Sequence, residues 1–210
     1  MIRVLIADDH PIIREGLTRI VQESPDLKVV GEARDGHEAL DLVRRVLADV
    51  ILLDIGMPGP GIFELMTQIR GERPNLPVLI LSVYPEEQYA IRLLRLGASG
   101  YLTKDHSPDE LVSAVRRVAA GRKYISPSLA EVLATQLDVD AGAPPHEVLS
   151  DREFQVLVSL ANGQTVTEIA RELELSPKTV STYRSRILKK MGLSSSADLI
   201  RYALEHNLTG

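Results

Sequence analysis

The sequence contains no cysteine among its 210 residues, which excludes disulfides and thiolate metal sites. It also lacks any apolar run approaching the roughly 20 residues that cross a bilayer. No basic stretch with a cleavable apolar leader precedes the first strand-like run. A cytoplasmic protein with no membrane partner is the expectation. What is present is ordinary for a globular chain: 44% hydrophobic and 25% charged residues. The net charge of -5 is unevenly spread. Residues 1–147 carry sixteen Lys and Arg against twenty-two Asp and Glu, whereas residues 148–210 carry eight against seven. Lys178, Arg184, Arg186, Lys189 and Lys190 fall within residues 177–191, which hold no acid. That segment suits either a polyanion partner or a solvated helix face.

Two periods alternate from residue 2 to about 120. Short apolar runs at 2–7, 27–33, 49–54, 76–82 and 99–103 read as buried strands. Amphipathic segments of helical length separate them. "PIIREGLTRIVQE" places Ile13, Leu17, Ile20 and Val21 on one face; "SPDELVSAVRRVAAG" offers Ser107 as N-cap, Pro108 in the first turn and Gly121 as a stop. Five strands alternating with five helices predict an α/β domain with a parallel sheet covered on both faces. A further Ser-Pro start opens a helix at 126–137. "DVDAGAPPHE" follows with linker composition, and the remainder reads as helices only. The expected division is 1–122, then a linker helix and linker over 123–147, then a small all-α domain over 148–210.

The strand ends carry the chemistry. The first ends in Asp8-Asp9, the third in Asp54, the fourth in Ser82, and the fifth stops just before Lys104. In an open α/β sheet the ligand crevice lies at these carboxyl ends, where the strand order reverses. Any one strand-end Asp could be a helix cap or a solvated turn. Three converging carboxylates repel one another, so a compensating cation is required. Mg²⁺ suits oxygen ligands in a site of few carboxylates. Carboxylates, a lysine and a hydroxyl together are the parts of phosphoryl transfer, with an Asp as nucleophile.

These residues resemble a bacterial response-regulator receiver domain of flavodoxin-like (βα)5 fold. The matching elements are Asp8-Asp9, "LLDIGMP" with Asp54, "LILS" with Ser82 and "GYLTK" with Tyr101 and Lys104. The resemblance implies that Asp54 is the phosphoacceptor, supplied by a histidine kinase or a small phosphodonor. It implies Mg²⁺ held by Asp8, Asp9, Asp54 and the carbonyl of Gly56, and a phosphoryl group stabilised by Lys104 and Ser82. Ser82 and Tyr101 would form the switch, the hydroxyl moving onto the phosphoryl group and the ring turning into the vacated space. Two positions depart from the family pattern. Ile62 stands where the loop after "MP" usually has Gly, with Gly61 one earlier; Asp105 stands where Pro often follows the lysine, and a cis bond there would cost about 3 kcal/mol.

"QTVTEIARELELSPKTVSTYRSRILKKMGL" holds a second signal. Val166, Ile169, Ala170 and Leu173 form an apolar face. Ser176 and Pro177 then start a new helix, in which Val180, Ile187 and Met191 face inward. The opposite stripe is Lys178, Ser181, Thr182, Ser185 and Lys189, with Arg184, Arg186 and Lys190 flanking it. Two helices with such a stripe on the second fit a helix-turn-helix that enters the major groove; a plain helical hairpin is the alternative. "LSDREF" through "KKMGL" resembles the LuxR-type DNA-binding domain. By that resemblance Thr167, Lys178, Thr179, Ser181, Thr182, Arg184, Ser185, Arg186 and Lys189 contact promoter DNA. The last helix, with Leu199, Ile200 and Leu204, resembles the element through which two such domains pair. Together the halves resemble a NarL/FixJ-type response regulator: a phosphorylation-switched transcription factor of a two-component system, a homodimer when phosphorylated, and not an enzyme. An Asp-nucleophile phosphatase is a competing reading, but Gly56 occupies the position where such enzymes need a second Asp. A protein-interaction module is a third.

Overall fold

The computed structural model describes every residue except Pro85, residues 138–143 and Gly210; for Glu87, Gln88, Val132 and residues 134–137 it describes the backbone only. Residues 138–143 of the expected linker thus lie outside the described residues. The chain forms two compact units, Met1–Leu129 and Ala130–Gly210.

In the first unit, strands β1 (Ile2–Ala7), β2 (Leu27–Ala33), β3 (Val50–Asp54), β4 (Val78–Ser82) and β5 (Gly100–Thr103) alternate with helices α1 (Pro11–Glu23), α2 (Gly36–Arg45), α3 (Ile62–Glu72), α4 (Glu86–Arg95) and α5 (Pro108–Ala119). The strands make one parallel sheet in the order β2-β1-β3-β4-β5. The order reverses between β1 and β3, which places the crevice at their carboxyl ends. Alternation along each strand explains the two cores. Val4, Ile6, Val50, Leu52, Leu79 and Leu81 pack with Leu17, Val21, Leu111, Val115 and Val118 of α1 and α5. The intervening Leu5, Ile51, Leu53 and Ile80 face the other way and are equally buried. The third and fourth strands begin one or two residues later than their apolar runs. Asp49 is drawn off by Arg3, whose guanidinium grips both carboxylate oxygens at 2.8 and 3.0 Å, and Pro77 has no N–H to give the ladder. That grip holds the Asp49 carboxyl down at about 2.

Helix α6 (Pro127–Leu137) leads out of this unit. The second unit, which takes in the later part of that helix, continues with a short 3-10 turn (Pro145–Val148), followed by α7 (Asp151–Ala161), α8 (Val166–Glu172), α9 (Pro177–Met191) and α10 (Ser196–Glu205). Its helix starts are heavily capped. Ser150 and Thr165 form capping boxes with Glu153 and Glu168, while Ser176 and Ser195 cap α9 and α10. Each cap is worth about 1 kcal/mol, which matters in helices of seven to fifteen residues. Ile169, Ala170, Leu173, Val180, Ile187, Leu199 and Ala203 fill the core, and no helix among the described residues is long and apolar enough to cross a membrane.

Candidate phosphoacceptor site and nucleic-acid interface

The register of the sheet gathers the strand-end residues. Ala7 lies beside Leu53, Asp54 beside Leu81, and Ser82 beside Thr103. Asp8, Asp54 and Ser82 are buried, and Asp9 is partly so. Lys104 reaches across from the end of β5, its Nζ lying 2.7 Å from Asp8 Oδ2 and 2.9 Å from Asp54 Oδ2. Its backbone N–H donates to the Ser82 carbonyl at 2.7 Å, which fixes the approach. The Lys104–Asp105 bond is trans, since no described peptide bond is cis.

Electrostatics explain why these groups sit together only with positive charge nearby. Burial pushes the Asp54 carboxyl up, Asp8 and Asp9 push it further, and Lys104 offsets this only in part. Burial alone would lower the Lys104 ammonium, but contact with Asp8 and the charge of Asp54 outweigh it and raise it. One ammonium pairs with two of the three carboxylates, Asp8 and Asp54. Asp8 Oδ2 and Asp9 Oδ1 are buried atoms with no hydrogen bond of acceptable geometry; Lys104 Nζ lies 2.7 Å from the first and His10 Nδ1 2.8 Å from the second. One ligand atom from each of Asp8, Asp9, His10 and Asp54 lies within 4.8 Å of the others. Hard oxygen donors, a charge deficit and this spacing fit a small divalent cation.

Sequence reasoning missed two neighbours of the site. His10 Nδ1 lies 2.8 Å from Asp9 Oδ1, with the ring largely exposed, and the His10 N–H donates to Asp8 Oδ1 at 2.8 Å. Arg14, one turn into α1, donates from Nη1 to the Asp8 carbonyl at 2.7 Å and faces Glu32. Only their closeness to the acidic pair in the chain could have drawn attention to them.

The loop after Asp54 is braced from α2. The Gly36 N–H donates to the Pro58 carbonyl at 3.0 Å. Gly59, at φ +106°, takes the left-handed turn, and a Cβ there would meet the His37 ring at 3.2 Å. Gly61 has φ -58° and serves as N-cap of α3, so the displaced glycine noted in the sequence is not where the loop needs conformational freedom. Gly56 sits beside the carboxylate: a Cβ there would lie 3.9 Å from Asp54 Oδ2.

Ser82 and Tyr101 meet through one residue. The Tyr84 N–H donates to Ser82 Oγ at 2.9 Å, and the Tyr101 hydroxyl donates to the Tyr84 carbonyl at 2.8 Å. The Tyr101 ring is already fully buried.

In the second unit α8, a turn with Glu174 at φ 53°, and α9 form the helix pair. Arg152, the arginine of the "LSDREF" stretch, donates to the Leu173 carbonyl at 2.8 Å and so holds the turn. Val180, Ile187 and Met191 are buried, while Lys178, Thr182, Ser185, Arg186 and Lys189 are exposed. Ser181 and Arg184 are half-buried, and Thr167 is exposed on α8. Thr179 is half-buried, with its hydroxyl 2.8 Å from the Ser176 cap. The Thr182 and Ser185 hydroxyls donate back to the Lys178 and Ser181 carbonyls at 2.9 and 3.1 Å, which leaves their oxygens as acceptors. Lys190 has a partner within the unit. Its Nζ lies 2.7 Å from Glu153 Oε2, a buried carboxylate that also receives the Ser150 N–H, while the rest of the side chain stays partly exposed. In α10 Leu199 is likewise core, leaving Ile200 and Leu204 as the exposed apolar pair.

Comparison with known proteins agrees with this division. Residues 4–116 match the response regulator receiver domain, and residues 147–203 match the bacterial regulatory proteins of the luxR family. The response regulator GacA of Pseudomonas aeruginosa is 39% identical over 209 residues, covering 99% of this chain and 98% of that protein. The response regulator UvrY of Escherichia coli is 37% identical, covering 99% and 96%. Among solved structures, RcsB from Salmonella enterica serovar Typhimurium bound to promoter rprA with the phosphomimetic BeF3- superposes with a TM-score of 0.70 at 28% identity, covering 96% of this chain and 98% of that one. Another Salmonella typhimurium RcsB structure gives 0.75 at 27% identity, covering 98% of each. This chain therefore belongs to the NarL/FixJ-type response regulators, transcription regulators that join a receiver domain to a LuxR-family DNA-binding domain.

Proposed function

We propose that Asp54 is the phosphoacceptor of this regulator, and that its phosphorylation controls promoter binding by α9. The observation that carries this reading is Lys104 spanning Asp8 and Asp54 within 3 Å of each. A carboxylate oxygen of Asp54 attacks phosphorus in line; the new O–P bond forms as the bond to a kinase phosphohistidine, or to a small donor, breaks. The leaving imidazole takes its proton from solvent. Lys104 follows the charge as it moves onto the phosphoryl oxygens, and the Ser82 hydroxyl donates to one of them. Mg²⁺, held by Asp8, Asp9, Asp54 and the Gly56 carbonyl, would supply charge neutralisation to the same oxygens. When Ser82 Oγ turns to the phosphoryl group it leaves the Tyr84 N–H, which biases the β4–α4 segment that Tyr101 also holds.

On the DNA side, Lys178, Thr182, Ser185 and Lys189 face the major groove, with Thr167, Thr179, Ser181, Arg184 and Arg186 beside them. Paired half-sites would follow from a homodimer; RcsB has been solved bound to promoter rprA and as two dimers bound to two parallel DNAs. A cognate histidine kinase, a linker over 123–147 and a cytoplasmic location complete the reading. The test is Asp54→Asn with a labelled phosphodonor. Incorporation is expected to vanish in the variant; label retained on it would overturn the assignment.

A further inference from the structure

Glu86, the first residue of α4, is buried, and its Oε2 receives two hydroxyls from far along the chain: Ser126 at 2.5 Å and Ser128 at 2.7 Å. Ser126 Oγ in turn receives the Leu129 N–H at 3.0 Å and lies 2.9 Å from Ser128 Oγ. One carboxylate oxygen therefore holds the capped first turn of α6. The segment before it is fixed to the sheet: Tyr124 pairs with Gly100, its N–H donates to the Ser99 carbonyl at 2.9 Å, and its hydroxyl donates to Glu110 at 2.6 Å. A Cβ at Gly100 would sit 2.8 Å from the Tyr124 carbonyl oxygen, so only glycine permits this approach. With residues 99–124 anchored, Glu86 is the movable partner of the α6 start. It stands two residues after Tyr84 and four after Ser82. It also borders a cavity of about 490 Å³, shared with Thr103, His106, Ser126 and Ser128, which gives the carboxylate room to shift.

We propose that Glu86 couples the Ser82–Tyr84 segment to α6, the helix that leads into the DNA-binding unit. The inference rests on Asp54 as phosphoacceptor. A shift of the Tyr84 backbone carries the first turn of α4 with it. The Glu86 carboxylate then leaves both serines at once, and the α6 start loses its anchor. Glu86 is a positioning residue here, since it touches no reacting atom.

Amide hydrogen exchange on the full chain, with and without Mg²⁺ plus beryllofluoride, tests this. In the wild type, beryllofluoride is expected to alter exchange at Tyr84 and to speed it by up to roughly tenfold at Leu129, the factor for losing the neutral hydrogen bond from its N–H to the Ser126 hydroxyl. In Glu86→Ala, and in the milder Glu86→Gln, the Tyr84 response should persist while the Leu129 response is lost. A Leu129 response of wild-type size in both variants would overturn the coupling. So would a wild-type response at Tyr84 with none at Leu129, although the phosphoacceptor reading would then stand. A wild type silent at both positions would overturn both.

Discussion

Replacing Lys104 with Met keeps the length of the side chain and removes one charge. The magnitude follows from the two contacts. At 2.7 and 2.9 Å, and an effective dielectric of about 20, each ion contact carries roughly 6 kcal/mol of attraction. Desolvation of the ammonium offsets much of this, and truncating one partner of a buried ionic cluster typically costs about 3–5 kcal/mol. Without Lys104, the Asp54 carboxyl, already raised by burial and by Asp8 and Asp9, is raised further. A carboxyl raised in the folded state binds more protons folded than unfolded, so stability falls as pH rises above the ordinary carboxylate range of about 4. Urea unfolding in metal-free buffer at several values from pH 5 to 8 should therefore show Lys104→Met losing about 3–5 kcal/mol at pH 7 and recovering part of that at pH 5. Added Mg²⁺ should restore more stability to the variant than to the wild type, because the carboxylates have lost their internal cation. Wild-type stability in the variant with a flat pH profile would refute the view that these acids are held together by charge.

Three further outcomes are expected. Glu153→Gln should destabilise the chain by about 1–2 kcal/mol at pH 7 in thermal unfolding, because the carboxylate loses its hold on Lys190 and the capping box. Burial opposes ionisation of Glu153, but Lys190 and Ser150 outweigh it and depress its folded pKa. Its contribution is therefore present above about pH 4.3 and lost as pH falls below that, so the two proteins should converge in acid. Lys178→Ala should weaken promoter binding at all sequences and reduce the salt slope by about one, as read by fluorescence anisotropy in a salt series. Gly59→Ala should slow phosphorylation and cost about 1–2 kcal/mol in denaturant unfolding, since φ of +106° and the His37 ring both resist a Cβ.

Local pattern made much of this molecule readable. Runs such as Val50–Asp54 announced the strands, and Ser107-Pro108 and Ser176-Pro177 announced helix starts that the structure places at those residues. The acidic site was legible because its residues stand at strand ends, where topology alone brings them together. Contacts without a local signature were not. Lys190 resembled its basic neighbours, and only the packing of α7 against α9 reveals Glu153, 37 residues away. Nothing in the sequence singles out Arg70, at the end of α3. It is partly buried, donating to the Pro74, Leu76 and Gly97 carbonyls, and burial lowers its pKa. Its three acceptors are backbone oxygens, which composition cannot flag.

The double hold on residue 84 has an evolutionary corollary. Both tethers end on main-chain atoms, the N–H answering to Ser82 and the carbonyl to Tyr101. The two tethers would therefore survive a change of side chain at that position, whose own ring packs against Tyr89 at 5.4 Å, with proline the one residue chemically barred because it has no proton to donate.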